Sequence, residues 1–191
     1  MGVQIDLIIP PVIVGLLIIL IFNVNSFILE TSVDNRLAND MQTFADVSVD
    51  IVQEEMRGLV SVNTSESILL TVLDEDNEPV PVSNNYTKFV YTVQQGTKQD
   101  EVTIWAENGV LKIKREGDIT PSEETAVYPA YIKDFVIEYD PNPTLPPFLR
   151  VKVTTESRPE HHARVSSKKN DDTVVRAFAE KQIYLRNIDL Q

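Results

Sequence analysis

The stretch "LIIPPVIVGLLIILIFNVNSFIL", residues 7–29, contains no charged side chain and decides how the rest of the chain is organised. As an α-helix it would span about 34 Å, enough for a hydrocarbon core of roughly 30 Å. It is apolar on every face, as a membrane span is. No basic residue precedes it and no small-x-small cleavage site follows it, which disfavours a discarded signal peptide. We therefore expect a retained single-pass membrane anchor.

Pro10 and Pro11 interrupt the start of this segment. The first N–H groups of a helix lack intrahelical partners, so prolines there cost little. They mark the start of regular helix or produce a kink one turn inside the membrane. Neither flank has the basic cluster that sets orientation. The short N-terminal flank and the large acidic remainder fit best with the C-terminal domain outside the cytoplasm. We expect the membrane to be the cytoplasmic (inner) one.

Residues 30–57 continue the helical pattern, with no proline or glycine before Gly58. Apolar side chains recur there at spacings of three and four, which predicts one nearly continuous helix from about residue 7 to 57. The stripe comprises Leu37, Met41, Phe44, Val47 and Ile51. It packs on the chain's own soluble domain or forms a coiled-coil seam with a partner, and both can hold along different stretches.

From residue 58 the pattern changes to short runs of β-branched and aromatic residues, which are typical of strands. The runs are "LVSV", "SILLTVL", "TKFVYTV", "EVTIWAENGVLKIKR", "YIKDFVIEYD", "FLRVKVTTES" and "VVRAFAEKQIYLRNI". Asn108-Gly109 predicts a tight hairpin turn. The sum is six or seven mainly antiparallel strands, whose apolar face needs a cover.

The second half of the long helix is the obvious cover for that face. The sequence therefore predicts an α+β fold, with a long N-terminal helix packed on a mainly antiparallel β-sheet head domain. We expect residues 1–29 to form the transmembrane helix, residues 30–57 its amphipathic continuation, and residues 58–191 the extracytoplasmic head.

The overall charge excludes some partners. The chain has 29 acidic and 17 basic residues and a formal charge of −12. Nucleic-acid affinity depends on cations that neutralise phosphates, so we expect no nucleic-acid partner. The chain contains no cysteine, which excludes disulfides, zinc-thiolate sites and thiol catalysis.

Catalytic motifs are not evident, and we expect neither an enzyme nor a cofactor. His161 and His162 lie in a polar, basic stretch that favours a solvated hairpin tip, and an enzyme that uses them is the least favoured interpretation. Asp74, Asp76 and Asn77 offer oxygen ligands for calcium, but the glycine and distal glutamate of an EF-hand loop are missing. A plain acidic turn is the competing interpretation.

The layout resembles the type IV pilin-like superfamily, particularly minor pilins and the minor pseudopilins of type II secretion. An apolar helix, its amphipathic continuation and a strand-rich head carry the resemblance. The tail "FVIEYD…FLRVKVTTES…RAFAEKQIYLRN" is also similar, ending in Leu185, Arg186 and Asn187. The resemblance implies a structural subunit of a pilus-like or secretion-like assembly, in the membrane or in a surface filament. Its partners would be membrane lipid and other pilin-like subunits.

In that superfamily an acidic residue at the fifth mature position pairs with the amino terminus of a neighbouring subunit. Removal of Met1 would make Asp6 the fifth residue, so the resemblance implies that Asp6 is the amine-pairing carboxylate. The competing interpretation places Asp6 among lipid headgroups or at a helix cap. The residues expected to pack against sister helices are Leu16, Leu17, Ile18, Ile19, Leu20, Ile21 and Phe22.

A second function from another class remains open at this point. The chain would then be a monomeric bitopic membrane protein whose head binds a peptide, glycan or partner protein. In that case the N-terminal helix is only a tether.

Overall fold

The computed structural model describes residues 2–139, 148–157 and 174–185, without the side chains of residues 2–9, 81 and 83. One helix, α1 (Gly2–Glu55), precedes the strands. The strands are β1 (Leu59–Val62), β2 (Ile68–Leu73), β3 (Pro79–Gln95), β4 (Lys98–Glu107), β5 (Val110–Gly117), β6 (Glu124–Pro129), β7 (Ile132–Tyr139), β8 (Phe148–Glu156) and β9 (Arg176–Tyr184). One long N-terminal helix and a mainly antiparallel sheet confirm the α+β class.

Helix α1 is continuous over 54 residues. Pro10 and Pro11 lie inside it, so regular helix does not begin at the prolines. Asn23, Asn25 and Ser26 do not interrupt it either. Its end near Gly58, where φ is +83°, matches the predicted boundary within two residues.

The buried face of α1 differs in part from the predicted apolar stripe. Met41 is buried as expected, but Val47 is 48% exposed, so its place in the buried stripe was wrong. The buried positions of α1 are Met41, Ala45, Ser48, Val49 and Val52, and Met56, the residue after its end, is also buried. Ala45 and Ser48 are small enough for a helix to approach a sheet closely, and neither is a strong hydrophobic signal in a sequence. The true face is therefore rotated from the one that large apolar residues indicate.

Strand β3 is the strand around which the sheet is built. It pairs antiparallel with β1, β2, β4 and β7. The principal order is β6-β5-β4-β3-β7-β8-β9, and β1 and β2 lie off this path on β3. The hairpin turn at Asn108-Gly109 is confirmed, since both residues have positive φ, and Glu107 pairs with Val110.

The nine strands of the described residues exceed the six or seven predicted. Strand β6 was not predicted, and β3 extends back to Pro79 rather than beginning near residue 87. Prolines argue against a central strand because they cannot donate to the ladder. Here Pro79, Pro81 and Pro129 lie where their strand has a partner on one side only. A missing N–H donor therefore costs less at these positions.

Side chains of α1 and the strands meet in one buried cluster. Ala45, Val49 and Val52 belong to the same cluster as Ile137 and Val151. The Thr155 hydroxyl donates a 2.9 Å hydrogen bond to the Met41 carbonyl oxygen, and this contact is buried. The rings of Phe44 and Tyr131 lie edge to face, with their centroids 5.0 Å apart. These contacts are made by the last four turns of α1.

Charged groups join the end of α1 to the sheet. The Arg115 guanidinium on β5 donates to the Glu55 carboxylate, with its Nε 3.0 Å from Oε2, and Nη2 contacts the same oxygen. The Lys181 ammonium on β9 lies 2.6 Å from the Asp50 carboxylate. Burial raises the pKa of the Tyr91 hydroxyl, and the nearby Glu55 carboxylate raises it further.

Asp100 organises the loop that follows β5. Its buried carboxylate accepts hydrogen bonds from the backbone N–H groups of Ile119 (2.7 Å) and Thr120 (3.2 Å). Burial alone would raise the pKa of this carboxyl, but the hydrogen bonds from Thr120 and Ile119 and the charge of Arg115 lower it below its ordinary value. Gly117 is required beside it, because a Cβ there would collide with the Gln99 carbonyl oxygen and with Asp100.

Valine-to-alanine substitutions on the buried and exposed faces of α1 are expected to change the free energy of unfolding by different amounts. Val52→Ala is expected to lower the free energy of unfolding of the head by about 2 kcal/mol, because it removes buried methyl groups and leaves a cavity. Val47→Ala is the matched control on the exposed face, with a change within about 0.5 kcal/mol. Denaturant unfolding in detergent, followed by Trp105 fluorescence, measures both. Equal effects would contradict the contact between helix and sheet.

Asp100 predicts a dependence of stability on pH. Because its folded-state pKa lies below the unfolded value of about 3.8, its stabilisation is present above that pH and is lost as the pH falls through the folded pKa. Asp100→Asn is expected to lower the unfolding free energy at pH 7 by roughly 1 to 2 kcal/mol and to flatten the loss in acid. The exposed neighbour provides the control, Glu101→Gln, which removes one charge. Wild-type stability of Asp100→Asn at pH 7 would refute this role.

Candidate functional site: the exposed N-terminal helix

The most unusual surface of this protein is the first half of α1. From Val12 to Leu29 its large apolar side chains are between 48% and 69% exposed, on every side of the helix. An 18-residue window in this half of the helix is strongly apolar, and none of it is buried. Soluble monomers rarely expose apolar patches of more than a few hundred Å². This surface therefore needs lipid or protein around it.

By length and composition, α1 qualifies as a membrane-spanning helix, the one such helix among the described residues. The 20 residues from Pro10 to Leu29 cover about 30 Å, close to the thickness of a hydrocarbon core. A signal sequence near an N-terminus can have the same properties.

The residues predicted to pack against sister helices all lie on this exposed surface. Leu16 is 62% exposed, Ile18 49% and Phe22 67%, and the other four lie within the same range. Because exposure is similar all round, the structure singles out no face for packing. Asp6 lies in the second turn of α1, and its side chain is outside the described part of the chain.

Residues 30–40 form a short stalk between the apolar segment and the head. All of them are exposed except Leu37, which is half-buried. The Thr31 hydroxyl donates to the Phe27 carbonyl oxygen at 2.9 Å, within the same helix. The stalk is about 16 Å long. The apolar segment and the buried part of α1 are therefore joined by unbroken helix rather than by a linker.

The proposed calcium ligands lie in the turn between β2 and β3. The Asp74 Oδ1 atom accepts hydrogen bonds from the backbone N–H groups of Asp76 and Glu78, both at 2.9 Å. Asn77 adopts a φ of +60°, which Asn tolerates better than most residues. Asp74 and Asn77 thus shape the turn itself. No group of three or more metal-ligating side chains occurs in the described ranges.

Other candidates for chemistry are sparse in the described part of the chain. His161, His162, Arg186 and Asn187 lie outside it. A cleft of about 500 Å³ lies between the end of α1 and β9, with Met56, Leu59, Ile183 and Leu185 among its lining residues. A smaller cavity of about 230 Å³ adjoins the Glu55–Arg115 pair.

Sequence reasoning missed two features of the head. The Glu55–Arg115 contact joins residues 60 positions apart, and no local pattern predicts such a pair. The hairpin of β2 and the start of β3 is exposed at every residue from 71 to 80, although Val72 and Leu73 belong to a run that predicted a half-buried strand. An unusual density of prolines and acidic residues after Leu73 was the available signal.

Comparison with known proteins adds no relative. No protein-family model, curated protein or solved structure matches this chain.

Proposed function

We propose that this protein is a structural, non-enzymatic subunit of a membrane-anchored assembly, pilus-like or type II secretion-like, which packs through its N-terminal helix. It crosses the inner membrane once, with the head outside the cytoplasm. The amphipathic continuation covers the sheet of the head, so one helix belongs to both the membrane segment and the head. Its partners are other pilin-like subunits and membrane lipid.

The continuity of α1 is the observation that carries the proposal. A tether needs only to reach the membrane, and a flexible linker does that. Here one helix runs from the apolar segment into the buried cluster at Ala45, Val49 and Val52. A rigid connection transmits the position of the head to the membrane segment, and an ordered assembly needs that property.

Lateral packing is the second part of the proposal. Lipid tails are as apolar as leucine, so helices in a bilayer associate through van der Waals packing and polar contacts rather than through the hydrophobic effect. The seven side chains from Leu16 to Phe22 supply the packing surface. A carboxylate in or near the bilayer is costly unless it is paired, and an amine of a neighbouring subunit would provide Asp6 with that partner.

The second candidate is a monomeric bitopic protein whose head binds a peptide, glycan or partner protein. The cleft beside β9 favours it, because its volume of about 500 Å³ lies within the usual range of ligand pockets, about 300 to 1,000 Å³. In this case the membrane helix has no sequence-specific role.

The proposal predicts that Asp6→Ala impairs assembly and leaves the head folded. We expect about tenfold less of the variant in the assembled fraction, a change of 1.4 kcal/mol in association free energy. Asp34→Ala removes an exposed carboxylate from the stalk of the same helix and is the matched control. Crosslinking of membranes, followed by quantification of the ladder of adducts, measures the difference. Normal incorporation of Asp6→Ala would refute the role of Asp6.

Replacement of residues 1–29 by an unrelated single-pass anchor separates the two candidates. An assembly subunit should lose its crosslinked adducts, because a generic helix lacks the packing surface. A tethered binding protein should retain full function with the new anchor. The free energy of unfolding of the head, measured on both proteins, shows whether the exchange disturbed its fold. Retained adducts would contradict the favoured proposal.

A further inference from the structure

A two-stranded arm of the head is formed by residues 71–81, the end of β2 and the start of β3, and every residue from 71 to 80 is exposed. Among the described strands, β2 pairs with β3 alone. The other neighbours of β3 join later, since β7 pairs from Asn85 and β4 from Lys88. The arm therefore has two outer edges with no partner strand in the described part of the chain.

The arm exposes aliphatic side chains to solvent. Val72 is 52% exposed, Leu73 62% and Val80 47%. An isolated two-stranded hairpin is marginally stable in water, and a third strand or another covering element is usually needed. The arm therefore has room for a third strand or another covering element.

Its two edges differ chemically. The Asp74 N–H donates to the Glu78 carbonyl oxygen at 3.0 Å, so these residues form a hydrogen-bonded pair. Antiparallel ladders alternate between hydrogen-bonded and non-hydrogen-bonded pairs. By this alternation, Leu73 and Pro79 form a non-hydrogen-bonded pair, Val72 and Val80 a hydrogen-bonded pair, and Thr71 and Pro81 again a non-hydrogen-bonded pair. In the two non-hydrogen-bonded pairs, the backbone N–H and C=O groups of each residue point away from the partner strand, toward the outer edge of the arm.

Prolines close one of these edges. Pro79 and Pro81 have no N–H, so the outer edge of β3 cannot donate to an added strand, a common protection of exposed edges. On β2, Thr71 and Leu73 keep both outward N–H and outward C=O groups. The arm thus has one closed edge and one open edge.

The charge of the tip indicates the partner. Asp74, Glu75, Asp76 and Glu78 cluster at the end of the arm, and none of them forms an ion pair with a described residue. Two such arms side by side would bring eight carboxylates together. Charge therefore disfavours a second copy of the arm and favours a basic partner.

We propose that the open edge of β2 binds an extended basic segment of a partner protein as an added antiparallel strand. Aliphatic residues of that segment pack beside Val72 and Leu73, which lie on opposite faces of β2, and Lys or Arg residues lie opposite the acidic tip. Backbone hydrogen bonds to Thr71 and Leu73 supply the register. The site is separate from the membrane helix and does not depend on the proposed function.

Fluorescence anisotropy with the full chain in detergent micelles tests the proposal. The probe is a labelled peptide, Thr-Val-Thr-Val-Lys-Val-Lys, and the comparison peptide carries Glu in place of Lys. We expect at least tenfold tighter binding of the basic peptide, weakened by added salt. A third peptide, N-methylated at alternate residues, cannot form the ladder and should not bind. Equal binding of the basic and acidic peptides, or of the N-methylated one, would overturn the proposal.

Proline substitutions test which edge is used. Thr71→Pro removes an outward N–H from the open edge and should weaken binding at least tenfold. Pro81→Thr restores an N–H on the closed edge and is the matched control, expected to leave the affinity within twofold or to add a second site. Unchanged binding by Thr71→Pro would reject the open edge. Sedimentation of the wild-type chain completes the test, since self-association abolished by Thr71→Pro would identify a second copy as the occupant and overturn the proposed partner.

Discussion

An exposed apolar segment has no water to bond its backbone amide groups once lipid or protein surrounds it, and this constraint bears on the first half of α1. An apolar segment that enters lipid as a single chain must satisfy its own N–H and C=O groups, which only a helix can do. In this protein the helix does not end where the apolar stretch ends. It continues as α1 to Glu55, and its last turns supply part of the buried cluster of the head. One element thus contains the exposed apolar segment and part of the buried cluster of the head.

Buried apolar side chains and ion pairs both stabilise the contact between the end of α1 and the sheet, but by different amounts. Val52 and Met41 are almost fully buried, and each such side chain contributes about 1.5 to 3 kcal/mol when it leaves water. The pairs Glu55–Arg115 and Asp50–Lys181 are partly exposed, and such pairs contribute about 0 to 1 kcal/mol. Burial therefore supplies most of the stabilisation, and the ion pairs add preference for one rotation of the helix.

Much of the fold could be predicted from local patterns. The helix was predicted from its apolar and amphipathic periods, and the strands from runs of β-branched residues. These signals, like the turn at Asn108-Gly109, depend only on residues that are neighbours in sequence. The rotation of α1 could not be predicted, because Ala45 and Ser48 give weak signals and the decision depends on which side fits the sheet. Strand β6 and the start of β3 were missed because Pro79 and Pro129 argue against strands in any local analysis. Of the candidate site, the exposure of Leu16 to Phe22 followed from composition, whereas no face of this segment stands out, because exposure is similar all round.

The prolines of β3 show why sequence rules fail most at functional edges. Within a sheet, Pro79 and Pro81 would each remove a ladder bond, and a sequence analysis counts that loss. In the arm they occupy positions whose N–H would point away from β2, so no bond is lost and an edge is closed instead. On the outer edge of β2 no proline blocks an added strand, and Val72 and Leu73 are exposed there. Edge protection on one side only is hard to explain as defence against aggregation, since aggregation can use either edge. It is what a strand needs in order to accept one partner from one direction.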